Sequence, residues 1–202
     1  MARYTGPKRK LSRREGIALF EKDIKVAELK GLTPPGQHVR GRRKKLSSFG
    51  EQLREKQKVK RIYGILERQF ERYFRAAAKK KGETGKVLIQ LLERRLDNTV
   101  YRLGFTPSRA AARQLINHGH IRIDDKKVDI PSYQVKEGQV VSLTRVGLKI
   151  PAVSKRLEET KKGPIPAWLE KRGAVGKVIG VPQEEDVGTG INQDLIIGYF
   201  SR

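Results

Sequence analysis

Residues 95–123 read RLDNTVYRLGFTPSRAAARQLINHGHIRI, and within them the apolar period changes from that of a helix to that of a strand. Leu96, Val100 and Leu103 complete a stripe begun by Val87, Leu88, Leu91 and Leu92, at the three- and four-residue spacing of one helical face. That predicts a helix from Lys86 to Leu103, with Gly104 as the residue just past its end. Thr106 is then the expected N-cap, with Pro107 at the first helical position. Ala111, Ala112, Leu115 and Ile116 form the buried face of a second helix that stops at Gly119, and Arg109 and Arg113, four apart, project from one side of it. Beyond the glycine, Ile121, Ile123, Val128 and Ile130 alternate with Arg122, Asp124 and Asp129 around Asp125-Lys126, which predicts a hairpin. Val140, Val141 and Leu143 supply a further strand, so residues 94–157 read as one αα-β module.

Upstream, Ser48-Phe49-Gly50-Glu51 reads as a capping box. Behind it Val59, Ile62, Leu66, Phe70, Tyr73, Phe74 and Ala77 make one apolar stripe, predicting a helix of about thirty residues that ends near Gly82. Arg54, Lys56, Lys58, Lys60, Arg61, Arg68 and Arg72 occupy its other faces, while Gln57, Tyr63 and Gln69 lie off the centre of the stripe and are candidate contacts. Before it, Thr33-Pro34-Pro35-Gly36 separates two basic blocks: Arg3, Lys8, Arg9, Lys10, Arg13 and Arg14, then Arg40, Arg42, Arg43, Lys44 and Lys45. Only Ile17, Leu19 and Phe20 are apolar nearby, so this arm is expected to stay extended until a partner orders it. Tyr4 and His38 among the cations point to RNA, since flat rings stack on unpaired bases.

After the module, Lys155 to Lys162 reads as a helix ended by Pro164 and Pro166. Val175, Val178, Ile179 and Val181 read as a strand, and Leu195-Ile196-Ile197 with Tyr199-Phe200 as another. The expected class is α+β: a basic arm over 1–46, a mostly helical domain over 47–93 completed by 170–202, the module inserted at 94–157, and a return segment over 158–202.

Composition narrows the function. Among 202 residues, 45 Lys and Arg face 22 Asp and Glu, a net charge of +23, which calls for a polyanionic partner. The surplus is graded: residues 1–50 hold 14 basic and 4 acidic side chains, and residues 151–202 hold 8 and 7. The absence of cysteine rules out disulfides, thiolate metal sites and thiol nucleophiles. With neither an apolar leader nor a run near the eighteen or so residues of a membrane span, no membrane partner and no secretion are expected. His38, His118 and His120 lack carboxylates at ligand spacing, so neither metal nor cofactor is expected. Gly82-Glu83-Thr84-Gly85-Lys86 lacks the spacing and preceding strand of a phosphate loop and reads as a connector.

Several longer runs occur in order: GEQLREKQK at 50–58, YGILERQF at 63–70, RLDNTVYRLG at 95–104, ARQLINHGHI at 112–121, Pro131-Ser132-Tyr133 and the terminal Tyr199-Phe200-Ser201-Arg202. Together they resemble protein four of the bacterial-type small ribosomal subunit (uS-four) from Arg3 to Arg202. The resemblance implies a cytoplasmic, non-enzymatic protein that binds 16S rRNA early at a junction of the 5′ domain. It implies nucleation of the subunit body, contact with small-subunit proteins five and three near incoming mRNA, and a part in decoding accuracy. Arg109, Arg113, His118, His120 and Arg122 match the cationic edge that meets RNA, and Tyr63, Arg68, Gln69 and Arg72 the helix facing the junction. The remaining expected contacts are Arg3, Tyr4, Lys8, Arg9, Arg13, Arg14, Arg40, Arg42, Arg43, Arg54, Lys56, Gln57, Lys58 and Arg61.

Two departures matter. Many relatives carry a zinc-binding cysteine cluster; this chain has none, so its N-terminal lobe must be held otherwise. Where relatives often have Asn-Gly in the hairpin turn, Asp124-Asp125 stands here, placing two negative charges beside the RNA edge. Two rivals share the module. In a pseudouridine synthase the catalytic aspartate lies in an Arg-Leu-Asp run like Arg95-Leu96-Asp97, but a catalytic domain needs far more chain than the fifty or so residues after the module. A loosely bound rRNA stress factor would have no use for the basic arm or the long Gln-Tyr-Arg helix.

Overall fold

The computed structural model describes residues 4–36, 45–159, 165–183 and 190–201. In chain order it contains α1 (Lys8–Glu15), α2 (Glu21–Lys30), α3 (Ser48–Tyr63), α4 (Glu67–Ala78), α5 (Thr84–Glu93), α6 (Leu96–Arg102) and α7 (Arg109–Asn117). Then follow β1 (Ile121–Ile123), β2 (Lys126–Lys127), β3 (Val140–Leu143), α8 (Arg145–Leu148), α9 (Pro151–Glu159), β4 (Leu169–Arg172), β5 (Val175–Val178) and α10 (Gln193–Phe200). The class is α+β, and the chain divides into two units: Met1–Arg75 with Ile191–Arg202, and Ala76–Gly190 between them in sequence.

The first unit is helical. Its cap is Ser47, one residue earlier than expected: the Ser47 hydroxyl accepts from the Gly50 N–H at 3.2 Å. The predicted thirty-residue helix is two helices. Gly64 turns left-handed at φ +63 and closes α3, its N–H reaching the Arg61 carbonyl at 3.2 Å. Stripe residues on both sides of that break, Val59, Ile62 and Phe70, are still buried, as are Tyr63 and Ile65, although Leu66 is left exposed.

The C-terminal run expected as a strand is α10, which packs on α3. Asn192 caps it, its side-chain oxygen accepting from Leu195 N at 3.2 Å, while its own N–H donates to Glu55 Oε1 at 2.9 Å. Ile196 is buried, and the Phe200 ring stacks 4.2 Å from Phe74 and 6.0 Å from Phe70. The described part of the basic arm is not extended either. Ser12 is buried, donates to the Asp23 carboxylate and accepts from Leu19 N at 3.3 Å, clasping α1 to α2. Glu15 at the end of α1 pairs with Arg54 and Arg61 of α3. This clasp and these pairs tie α1 to α2 and to α3.

In the second unit the helix expected from Lys86 to Leu103 is also two. Residues 131–135 capture the backbone at the break: Leu96 N donates to Tyr133 O at 2.8 Å, Asp97 N to Pro131 O at 3.1 Å, and Val135 N to Arg94 O at 2.9 Å. The N–H groups that open α6 are thereby satisfied without a side-chain cap. Ser108, not Thr106, caps α7, accepting from Ala111 N at 3.2 Å.

The sheet has the order β2-β1-β3-β5-β4, antiparallel throughout. β3 pairs with β5 through Val140 opposite Lys177, and β5 with β4 through Val178 opposite Leu169. Residues 170–178, expected to complete the helical domain, therefore extend the module's sheet together with Leu169. Trp168, Leu169 and Val178 are buried in the same core as Leu96, Val100, Phe105, Ile116, Ile121 and Val141. Only Ile191–Arg202 returns to the first unit, and the helix expected to reach Lys162 is described from Pro151 to Glu159.

Candidate nucleic-acid interface

In the second unit the expected contacts separate into two classes. Asp97 is buried, and its Oδ1 accepts from Arg95 Nε at 3.0 Å while its Oδ2 accepts from Arg95 Nη2 at 2.8 Å and Arg113 Nη2 at 2.6 Å. Beside it, buried Glu93 accepts from Arg102 at 2.9 and 3.0 Å and from the Asn98 amide at 2.7 Å. The Asn98 carbonyl in turn accepts from Arg109 Nε at 2.7 Å, and that guanidinium lies 4.6 Å over the Tyr101 ring. Arg113 and Arg109 are thus engaged within the fold, the first by a carboxylate and the second by an amide and a ring. A charge removed from water needs such partners.

The other expected contacts of this unit lie at the α7–β1 turn and the first hairpin, while further exposed cations such as Arg145, Lys149 and Lys177 stand elsewhere on it. His118 is exposed and His120 half-buried, their rings 6.1 Å apart. Between them Gly119 takes φ +72, and a Cβ there would collide with the Lys127 side chain. Arg122 stands directly opposite Lys127 across the β1–β2 ladder, both exposed. Two like charges facing each other destabilise a bare sheet. The Asp-Asp turn is also resolved: Asp124 and Asp125 take φ +47 and +65, a left-handed pair suited to a tight hairpin. Asp124 spends its carboxylate internally, accepting from Val140 N at 2.9 Å and from the Gln139 amide at 3.0 Å. Lys126 and Lys127 were missing from the sequence-derived contacts; their mark was the flank of that turn.

In the first unit, Tyr4, Lys8, Arg9 and Arg14 are exposed. Lys8 lies 5.8 Å over the Phe20 ring, and half-buried Arg13 donates to Thr33 O at 2.8 Å and Pro34 O at 3.2 Å. Arg54 donates to Arg14 O at 2.7 Å. Arg61 is half-buried, and desolvation, then the charge of Arg14, lowers its pKa from the ordinary arginine value. Three expected contacts are core residues instead. Tyr63 is buried; Lys56 is buried with its amine 2.6 Å from Glu67 and 4.0 Å over the Tyr199 ring; Lys58 is buried and pairs with Glu55 at 3.1 Å. Arg68 and Arg72 of α4 are exposed, and Gln57 and Gln69 half-buried. Arg3, Arg40, Arg42 and Arg43, with His38, lie outside the described residues.

Among the described residues no three His, Asp or Glu side chains gather as a metal site would require, and no helix is long and apolar enough to cross a membrane. Asp97, the one aspartate resembling a synthase nucleophile, is closed off between two arginines.

Comparison with known proteins agrees with this architecture. Residues 3–93 match the ribosomal protein S4/S9 N-terminal domain family, and residues 94–141 match the S4 domain. Small ribosomal subunit protein uS4 of Chloroflexus aurantiacus is 50% identical over 208 residues, covering all of both chains. The uS4 protein of Herpetosiphon aurantiacus is 51% identical over 215 residues and uS4A of Symbiobacterium thermophilum 47% over 209, again with full coverage of both. With two family domains in sequence and relatives alike from end to end, the chain belongs to the small ribosomal subunit protein uS4 family, a structural and non-enzymatic family.

Proposed function

We propose that this protein grips folded 16S rRNA within the small ribosomal subunit of the cytoplasm, using cations carried by two separately folded units. It thereby nucleates the subunit body. It lies beside small-subunit proteins five and three near incoming mRNA and supports accurate decoding. The observation that carries the RNA contact is the Arg122–Lys127 pair: two exposed like charges in register, next to His118 and Lys126, form a seat that a phosphate neutralises.

Each neutralised phosphate releases condensed counterions, so affinity falls steeply with salt but carries no sequence information. Selectivity then comes from the shape of the folded RNA against a rigid scaffold. Arg68, Arg72, Arg122 and Lys127 are the residues we assign to phosphate contact; Arg109 and Arg113 contribute with their guanidinium planes already oriented. Filter binding across a potassium series tests this. Arg122→Ala with Lys127→Ala should weaken binding about tenfold or more at moderate salt and flatten the log–log salt slope by about 1.5. Unchanged affinity and slope would remove the hairpin from the interface.

A further inference from the structure

We propose that a cleft at the C-terminal end of α1 holds one unpaired nucleotide of the bound RNA, its base between apolar walls and its phosphate on cations at the rim. The inference rests on the RNA-binding reading above and adds a nucleotide-sized subsite to it. The cleft has a volume of about 610 Å³, within the roughly 300–1,000 Å³ of small-ligand sites. Pro34, Pro35 and Leu46 make its apolar walls, and Lys10 and Arg14 its exposed cationic rim.

Part of this lining is anchored before any ligand arrives. Arg13 ties down the proline turn through the Thr33 and Pro34 carbonyls at 2.8 and 3.2 Å, and Arg54 anchors the end of α1 through the Arg14 carbonyl at 2.7 Å. Pre-ordering reduces the entropy lost on binding. The single acid lining the cleft, Glu15, has only 4% of its side chain exposed and is engaged by Arg54 and Arg61, so its charge is matched and does not repel a phosphate.

This mixture selects a class of ligand. A paired RNA helix offers its phosphates to the rim but leaves the apolar walls wet, and an apolar peptide leaves the rim cations unmatched. An unstacked base satisfies both, lying against the proline and leucine faces while its phosphate meets Lys10 and Arg14.

The test uses the intact protein and three labelled RNA hairpins with one stem: fully paired, with a single-nucleotide bulge, and with the same bulge made abasic. Fluorescence anisotropy should show the bulged hairpin bound about five- to tenfold more tightly than the other two, the lower end of what one stacked base contributes. Pro35→Gly with Leu46→Ala keeps every charge and should bring that ratio to about one. Leu46→Ala alone, at a position already 46% exposed, preserves the fold and should reduce the ratio in the same direction. Equal binding of the three hairpins by protein that still binds 16S rRNA would overturn the subsite alone, as would a preference that survives the double variant. Failure to bind 16S rRNA at all would overturn the RNA-binding reading, and the subsite with it.

Discussion

Two arginine-bearing helices handle charge in opposite ways. On α7, Arg113 is held by buried Asp97 and Arg109 by Asn98 and the Tyr101 ring. On α4, Arg68 and Arg72 are exposed to solvent. The same residue type serves as part of the fold in one place and as a ligand-seeking charge in the other, and what decides is whether an acid or amide lies within reach inside the unit. Substitutions on α7 should therefore disturb stability together with binding, and substitutions on α4 binding alone.

The largest effect should come from the acid itself. Asp97→Ala removes the carboxylate that pairs with Arg95, 1% exposed, and with Arg113. Breaking one side of a buried ion pair costs about 3–5 kcal/mol, so a denaturant titration should show the second unit losing most of its stability. A loss below about 1 kcal/mol would mean that the pair only decorates the fold. Next, Arg68→Ala with Arg72→Ala should cut rRNA affinity about tenfold and flatten the salt slope, with stability changed by less than about 0.5 kcal/mol. Arg113→Ala sharpens the contrast: it should lower the melting temperature as well as the affinity, and a change in affinity alone would place Arg113 with the α4 arginines.

The smallest effect concerns pH. Burial pushes the Glu67 carboxyl upward, but hydrogen bonds from Lys56 at 2.6 Å and Lys60 at 2.7 Å, together with their charges, outweigh it and hold the group below its ordinary range. A depressed folded pKa stabilises the protein above the unfolded value, and that contribution fades as pH falls through the folded value. Thermal melts from neutral to about pH 3 should show Glu67→Gln losing less stability on acidification than the parent. Parallel curves would show that the two lysines gain nothing from that charge.

Much of the second unit was legible because its signals are local. The change of apolar period after Gly119, the left-handed glycines at 104 and 119 and the alternation through Ile121 and Ile123 each span a few residues. The failures are non-local or degenerate. Gly64 and the Arg94-Arg95 junction break helices inside apolar stripes that continue across them, so periodicity alone passes over the break. The Ser-x-x-Glu spacing pointed to Ser48, whereas the hydroxyl that caps α3 belongs to the serine just before it. Leu195-Ile196-Ile197 reads as a strand until α3 supplies a helical surface to pack against. Among the candidate contacts, charge counting could not see that Asp97 and Arg113 meet across sixteen positions, or that Lys56 turns inward onto Tyr199. Pairing belongs to the tertiary fold.

The central claim is that a rigid, cation-bearing scaffold recognises RNA by its shape. Its most direct test is equilibrium binding of the full chain to the native 5′-domain junction and to a scrambled transcript of the same length, across a potassium series. The expected result is at least about tenfold tighter binding of the native junction, with both transcripts showing steep salt dependence. Equal affinities at moderate potassium would contradict it, leaving charge without fit.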